Sequence, residues 1–143
     1  VITKEDEDFL DRCDELSRGE YCSHRNVGAI VVDKNGCERG HGRNIGVPLS
    51  KVTCTGGACP RGLLPPGRGS NDYSDCIAVH AEFFAITQAL RNSGVHGIYG
   101  STMYVNSLPC SMCIKHCMAV GVIRIVWHDE AGGAGERLLG EGR

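Results

Sequence analysis

Two short stretches thirty residues apart restrict this chain more than anything else in it: "VHAEF", which carries His80 and Glu82, and "PCSMC", which carries Cys110 and Cys113. A fold that gathers them presents one imidazole and two thiolates, a Cys2His set. The two-residue spacer puts both sulfurs on the first turn of one helix, and His80 begins another. Two positive helix ends would then help to hold the thiolates.

Such a set leaves the fourth tetrahedral position of a zinc ion to water, as a catalytic site requires, whereas a closed structural site wants a fourth protein ligand. Glu82 stands two residues beyond His80, within reach of that water without having to ligate the metal, which is the place of a general base. The arrangement suits hydrolytic attack at an amidine-like carbon. The plainer readings are a structural zinc or unlinked core residues for the three ligands. For Glu82 alone, the plainer reading is an exposed acid that favours the helix dipole.

The surrounding pattern supplies elements on which such a site can sit. "KEDEDFLDRCDELSRGE" has Phe9, Leu10, Cys13 and Leu16 at the spacing of one helical face. Val27 to Val32 is a β-branched run closed by Asp-Lys-Asn-Gly, a buried strand entering a hairpin whose partner lies near "CERGHGRN". From Ile45 to Asp75 the periodicity disappears into a Cys-, Gly- and Pro-rich insertion, a loop long enough to need a function or a metal clip. "HAEFFAITQALRNSG" reads as a helix stopped at Gly94, "STMYVNSLPC" as a strand, "SMCIKHCMAVG" as a helix ended by Gly121, and "VIRIVWHDE" as a buried strand. Residues 131–143 read as a Gly-rich tail without an assigned element. This order predicts an α/β fold, helices covering a mixed sheet, and the 143 residues suit a single domain spanning 1–143.

Composition narrows the class. A net charge of -2 lends no support to binding long nucleic acids. No apolar run approaches the ~18 residues of a membrane helix, and "VITKEDEDFL" is too acidic for a signal peptide, so a soluble, cytoplasmic protein is expected. Nine cysteines, an odd number, suit metal ligation better than a disulfide framework.

H-x-E followed by P-C-x-x-C resembles the signature of the zinc-dependent cytidine and deoxycytidylate deaminase superfamily. The resemblance extends from the first helix through "VGAIVV" and "GRN" to "GVIRIVW". It implies a three-layer α/β/α cytidine-deaminase-like sandwich, with His80, Cys110 and Cys113 as ligands of a catalytic zinc. Glu82 would carry protons from water to the pyrimidine and to the departing ammonia. The backbone N–H groups of Ala81 and Cys110 would lie beside the ring and the metal.

Within the superfamily the chain looks closest to the deoxycytidylate (dCMP) deaminase branch, by "YCSHRNVGAIVV", the insertion before the histidine, and "PCSMCIKHCMAVGV". That implies conversion of dCMP to dUMP, a homo-oligomer that is often a hexamer, and allosteric control by dCTP and dTTP. Asn44 matches the branch's sugar-contacting asparagine, although Arg43 replaces an aromatic residue beside it. The substrate phosphate needs a cation, for which Arg43, Arg61 and Arg68 are the sequence candidates. Phe84 stands where the branch has asparagine in HAExNA, which leaves a related cytosine nucleotide, a modified pyrimidine nucleotide or free cytidine open as substrates; tRNA adenosine is a further rival substrate. A non-catalytic zinc module remains the rival from another class.

Members of the branch often carry a second, structural zinc, for which Cys54, Cys59 and Cys76 are the ligands implied here, with Cys22 nearby. The competing reading is that these cysteines are buried as small hydrophobes. Cys13 and Cys117 read as core, and Cys37 as incidental. Trp127 and His128 read either as core or as a contact to substrate or a neighbouring subunit.

Overall fold

The computed structural model describes residues 1–18, 26–44, 79–129 and 131–140. Cys22, Cys54, Cys59, Cys76, Arg61 and Arg68 lie outside these described residues. The element order is α1 (Lys4–Ser17), β1 (Gly28–Val32), β2 (Glu38–Arg43), α2 (Ala81–Ile98), β3 (Thr102–Val105), α3 (Ser111–Val120), β4 (Arg124–His128) and β5 (Ala134–Leu138).

Every residue of β1 is buried, because it is an interior strand of the sheet with helices on both faces. The five strands lie in the order β2-β1-β3-β4-β5. β1 pairs antiparallel with β2 and β3, β3 pairs parallel with β4, and β5 closes the far edge antiparallel to β4. A parallel pair needs a crossover, and α3 supplies it. Cys110 and Cys113 therefore stand beyond the carboxyl end of β3, where open α/β sheets place their ligands.

Alternation along the strands divides the core. Ala29, Val31, Met103, Val105 and Ile125 pack with α2 and α3, while Ile30, Val32, Tyr104 and Val126 pack with Leu10 and Cys13 of α1. The expected three-layer α/β/α sandwich with a mixed sheet is thus the observed one. Thr3 opens α1 with a capping box: the Asp6 N–H donates to Thr3 Oγ1 (3.1 Å), and the Thr3 N–H donates to Asp6 Oδ2 (2.9 Å).

Small residues bring α2 down onto β2. A Cβ on Gly42 would stand 2.4 Å from Phe84 Cβ and 2.7 Å from the Ala81 carbonyl oxygen, and one on Gly40 would stand 2.2 Å from the Ala85 carbonyl oxygen. The start of α2, with His80 and Glu82, is thereby set beside the end of β2.

Two sequence expectations are corrected. α2 does not stop at Gly94: that residue is non-helical (φ 68°, ψ 178°), but a further helical segment follows it to Ile98. The Gly-rich tail contains β5. Gly135 lies so close under the Trp127 indole that a Cβ there would be 2.5 Å from the ring, so a glycine that lowers strand propensity is what lets this strand pair. Gly121 ends α3 as expected, in the left-handed region (φ 91°), with the Val122 N–H donating to the Cys117 carbonyl (3.0 Å).

Candidate metal and active site

His80 and Cys110 occupy the same structural position on different helices. Each is the extended N-cap residue, of α2 and of α3, and each carbonyl accepts the first helical hydrogen bond, from Phe84 (3.2 Å) and from Ile114 (3.1 Å). Neither side chain caps its own helix, although caps usually do. Both turn instead toward Cys113, in the first turn of α3.

His80 Nδ1 lies 3.2 Å from Cys113 Sγ and 3.7 Å from Cys110 Sγ, and the three ligand atoms all fall within 4.8 Å of one another. Around a tetrahedral zinc with ordinary Zn–N and Zn–S bonds, nitrogen and sulfur are separated by roughly 3.6 Å. The donor set therefore fits a zinc ion in both chemistry and spacing. Burial first, then the charges of Glu82 and Cys110, push the Cys113 thiol far up. A cation among these groups is what would let the thiolate form.

Glu82, in the first turn of α2, is only 5% exposed, and its charge is among the causes that push the Cys113 thiol up. A carboxylate buried to this degree is unusual unless partnered, which counts against an exposed dipole-favouring acid. Cys117 is fully buried, its thiol pushed up to about 12 by burial and then by the Glu82 charge. Cys117 is core, as the sequence suggested, and Cys13 likewise.

Other sequence candidates divide. Ala81, fully buried, starts α2, where a first-turn N–H has no intrahelical acceptor. Asn44 shares the face of β2 that holds Gly42, and so lies toward α2. Its Oδ1 accepts the Val27 N–H (2.8 Å). Arg43 is exposed and one residue out of phase, on the opposite face. Trp127 packs against the core on the α2–α3 face.

Sequence reasoning passed over Asn106. Its Oδ1 accepts the Gly28 N–H (3.0 Å), and its own N–H donates to the Gly28 carbonyl (3.2 Å). The only signal was an asparagine at the end of a strand, four residues before Cys110, which has no spacing partner. Three large apolar residues next to the site residues in sequence are exposed: Phe83, Leu108 and Met112 are 43%, 60% and 55% accessible. Phe83 packs its ring against His116, with centroids 5.6 Å apart. Among the described residues, no helix is long and apolar enough to cross a membrane.

Comparison with known proteins agrees with the geometry. The family described as the cytidine and deoxycytidylate deaminase zinc-binding region matches residues 3–129. The deoxycytidylate deaminase of Mycobacterium phage D29 is 35% identical over 130 residues, covering 88% of this chain and 95% of that protein. The dCMP deaminase of cyanophage S-TIM5 in complex with dCMP and dUMP superposes with a TM-score of 0.68 at 26% identity, over 90% of this chain and 85% of that one. Its apo form, at 24% identity, shares the fold with a TM-score of 0.63, over 90% and 86% of the two chains. With its three ligand atoms brought together and most of its length matched, this chain belongs to the cytidine and deoxycytidylate deaminase zinc-binding family.

Proposed function

We propose that this chain hydrolyses dCMP to dUMP and ammonia, with His80, Cys110 and Cys113 holding a catalytic zinc and Glu82 moving the protons. The observation that carries the reading is the convergence of two helix N-caps and one first-turn cysteine beside a buried carboxylate. The match to a deoxycytidylate deaminase over nearly all of its length supports the choice of substrate.

A bound zinc supplies a water that loses its proton near neutral pH. The chain's own residues do the rest. Glu82, held by the first turn of α2, takes a proton and delivers it to the pyrimidine N3. The oxygen of water becomes bonded to C4. Glu82, emptied by the transfer to N3, then takes the proton that remains on this oxygen and hands it to the C4 amino group, so that the C4–N bond breaks and ammonia departs. The first N–H groups of α2 and α3, oriented by their helices, favour the negative charge that gathers on this oxygen. Burial of Glu82 keeps bulk water from competing for its proton. Asn44, whose carboxamide oxygen accepts the Val27 N–H, is the residue that would meet the sugar.

Two finer points belong to the same proposal. Exposed Phe83, Leu108 and Met112 support a homo-oligomer in which a second copy packs against them. Cys54 and Cys59 in the insertion and Cys76 just after it supply a second zinc site, a reading supported by the length of the loop they flank. A substrate panel of dCMP, CMP, deoxycytidine, cytidine and an RNA hairpin, scored for ammonia release, tests the substrate. dCMP is expected to react fastest, and reaction of RNA or cytidine with dCMP untouched would overturn the reading.

A further inference from the structure

Val27 and Gly28, at the entry to β1, are held from both sides by asparagine side chains. In a regular antiparallel pair two opposed residues exchange both N–H···O=C bonds through the main chain. Here only half of each exchange is main chain: Asn44 and Asn106 donate their N–H groups to the carbonyls of Val27 (3.3 Å) and Gly28 (3.2 Å). The return bonds, from the N–H groups of Val27 (2.8 Å) and Gly28 (3.0 Å), go to the two carboxamide oxygens. The carboxamide substitutes for a main-chain carbonyl. It lets the backbone of the neighbouring strand leave the sheet without orphaning the β1 amide, which would otherwise lose its partner.

At Asn106 the chain leaving the sheet runs through Ser107 and Leu108 to the buried Pro109 and then to Cys110. At the other edge, Asn44 follows Gly42, against which the first turn of α2 rests. The imidazole half of the site and the thiolate half are thus referenced to adjacent residues at the entry to β1, Val27 for the first and Gly28 for the second. We propose that Asn106 is a positioning residue for the metal site. By fixing the turn 106–109 to β1 it sets where Cys110 and Cys113 stand relative to His80. This rests on the zinc-site reading above, and it adds a residue that touches neither metal nor substrate.

The test is metal affinity, read on purified full-length protein by competition with a chromophoric chelator for zinc and by the thiolate absorption of the Co2+-substituted protein. Asn106→Ala is expected to weaken zinc binding by about ten-fold or more, as loss of outer supports of metal ligands does, and to weaken the Co2+–thiolate band. Asn106→Asp, which keeps an acceptor for the Gly28 N–H, is expected to bind zinc at least as tightly as the parent. Leu10→Ala, in the core on the far face of the sheet, controls for general loosening and is expected to leave affinity unchanged. The proposal is overturned if Asn106→Ala binds like the parent, if it and Leu10→Ala lose affinity equally, or if Asn106→Asp is also ten-fold weaker. Should Asn106→Ala fail to fold, Asn106→Leu, which keeps the side-chain size but removes the acceptor for the Gly28 N–H, takes its place under the same expectations. A parent protein that binds zinc but turns over no nucleotide would remove the deaminase reading and leave this test intact.

Discussion

His80 Nδ1 and Cys113 Sγ lie 3.2 Å apart, although thirty-three residues separate them in the chain. Such proximity between a helix-cap imidazole and a buried thiol follows from the crossover at α3 and the close seat of α2 on β2. Replacing Cys113 by Ser removes a soft ligand from the set. The variant is expected to lose the catalytic zinc and at least about a hundred-fold in dCMP turnover, measured by metal content and ammonia release. Stripping the parent with a chelator is expected to abolish turnover, and zinc to restore it.

Gly42 is held in place by distance rather than by conformation. An alanine there would press its Cβ into Phe84 and the Ala81 carbonyl, so Gly42→Ala is expected to cost about 1–3 kcal/mol of stability and to lower kcat by shifting His80 and Glu82. Gly94→Ala provides the contrast. It is strained by a positive φ of 68° but meets nothing within 4 Å, so it is expected to cost a similar amount, about 1–3 kcal/mol, with kcat unchanged. Urea melts and steady-state kinetics on both variants separate these outcomes.

Acid stability is expected to hinge on Asp6, which is 3% exposed. Its carboxylate accepts two N–H bonds from Arg124 (2.9 and 2.8 Å) and the Tyr104 hydroxyl (2.6 Å). The Arg124 hydrogen bonds first, with Tyr104 and the Thr3 N–H, hold its carboxyl well below the usual carboxylate range. A carboxyl whose folded pKa is depressed stabilises the fold above its unfolded pKa of about 4, and that contribution is lost as pH falls toward the folded value. Asp6→Asn is therefore expected to be about 3 kcal/mol less stable than the parent at pH 7. The gap should narrow steadily below pH 4 in urea melts; a gap that widened would contradict the account.

Metal content decides the second site. Two zinc ions per chain are expected, falling to one in a Cys54→Ser, Cys59→Ser, Cys76→Ser triple variant that keeps its Co2+–thiolate band. One zinc in the parent would remove the second site without touching the first.

The parts of this molecule that could be read from sequence are those whose signals are local. The β-branched run of β1, the Gly121 stop and the ligand spacing of "PCSMC" each carry their own physical reason within a few residues. β5 was hidden because its one glycine, Gly135, answers to the Trp127 indole, a tertiary demand that overrides strand propensity. Asp6 and Arg124 meet across 118 residues, and nothing in either neighbourhood announces the other. Asn106 went unseen for the same reason, since its partner is a main-chain amide 78 residues upstream, and a main-chain amide has no sequence signature.

The proposed movement of protons by Glu82 in a zinc-dependent deamination is tested most directly by Glu82→Gln. Ammonia release from dCMP is measured on parent and variant alongside their zinc content. Turnover is expected to fall by about 10²–10⁴-fold with zinc still bound. Turnover equal to the parent's at full zinc occupancy would contradict it.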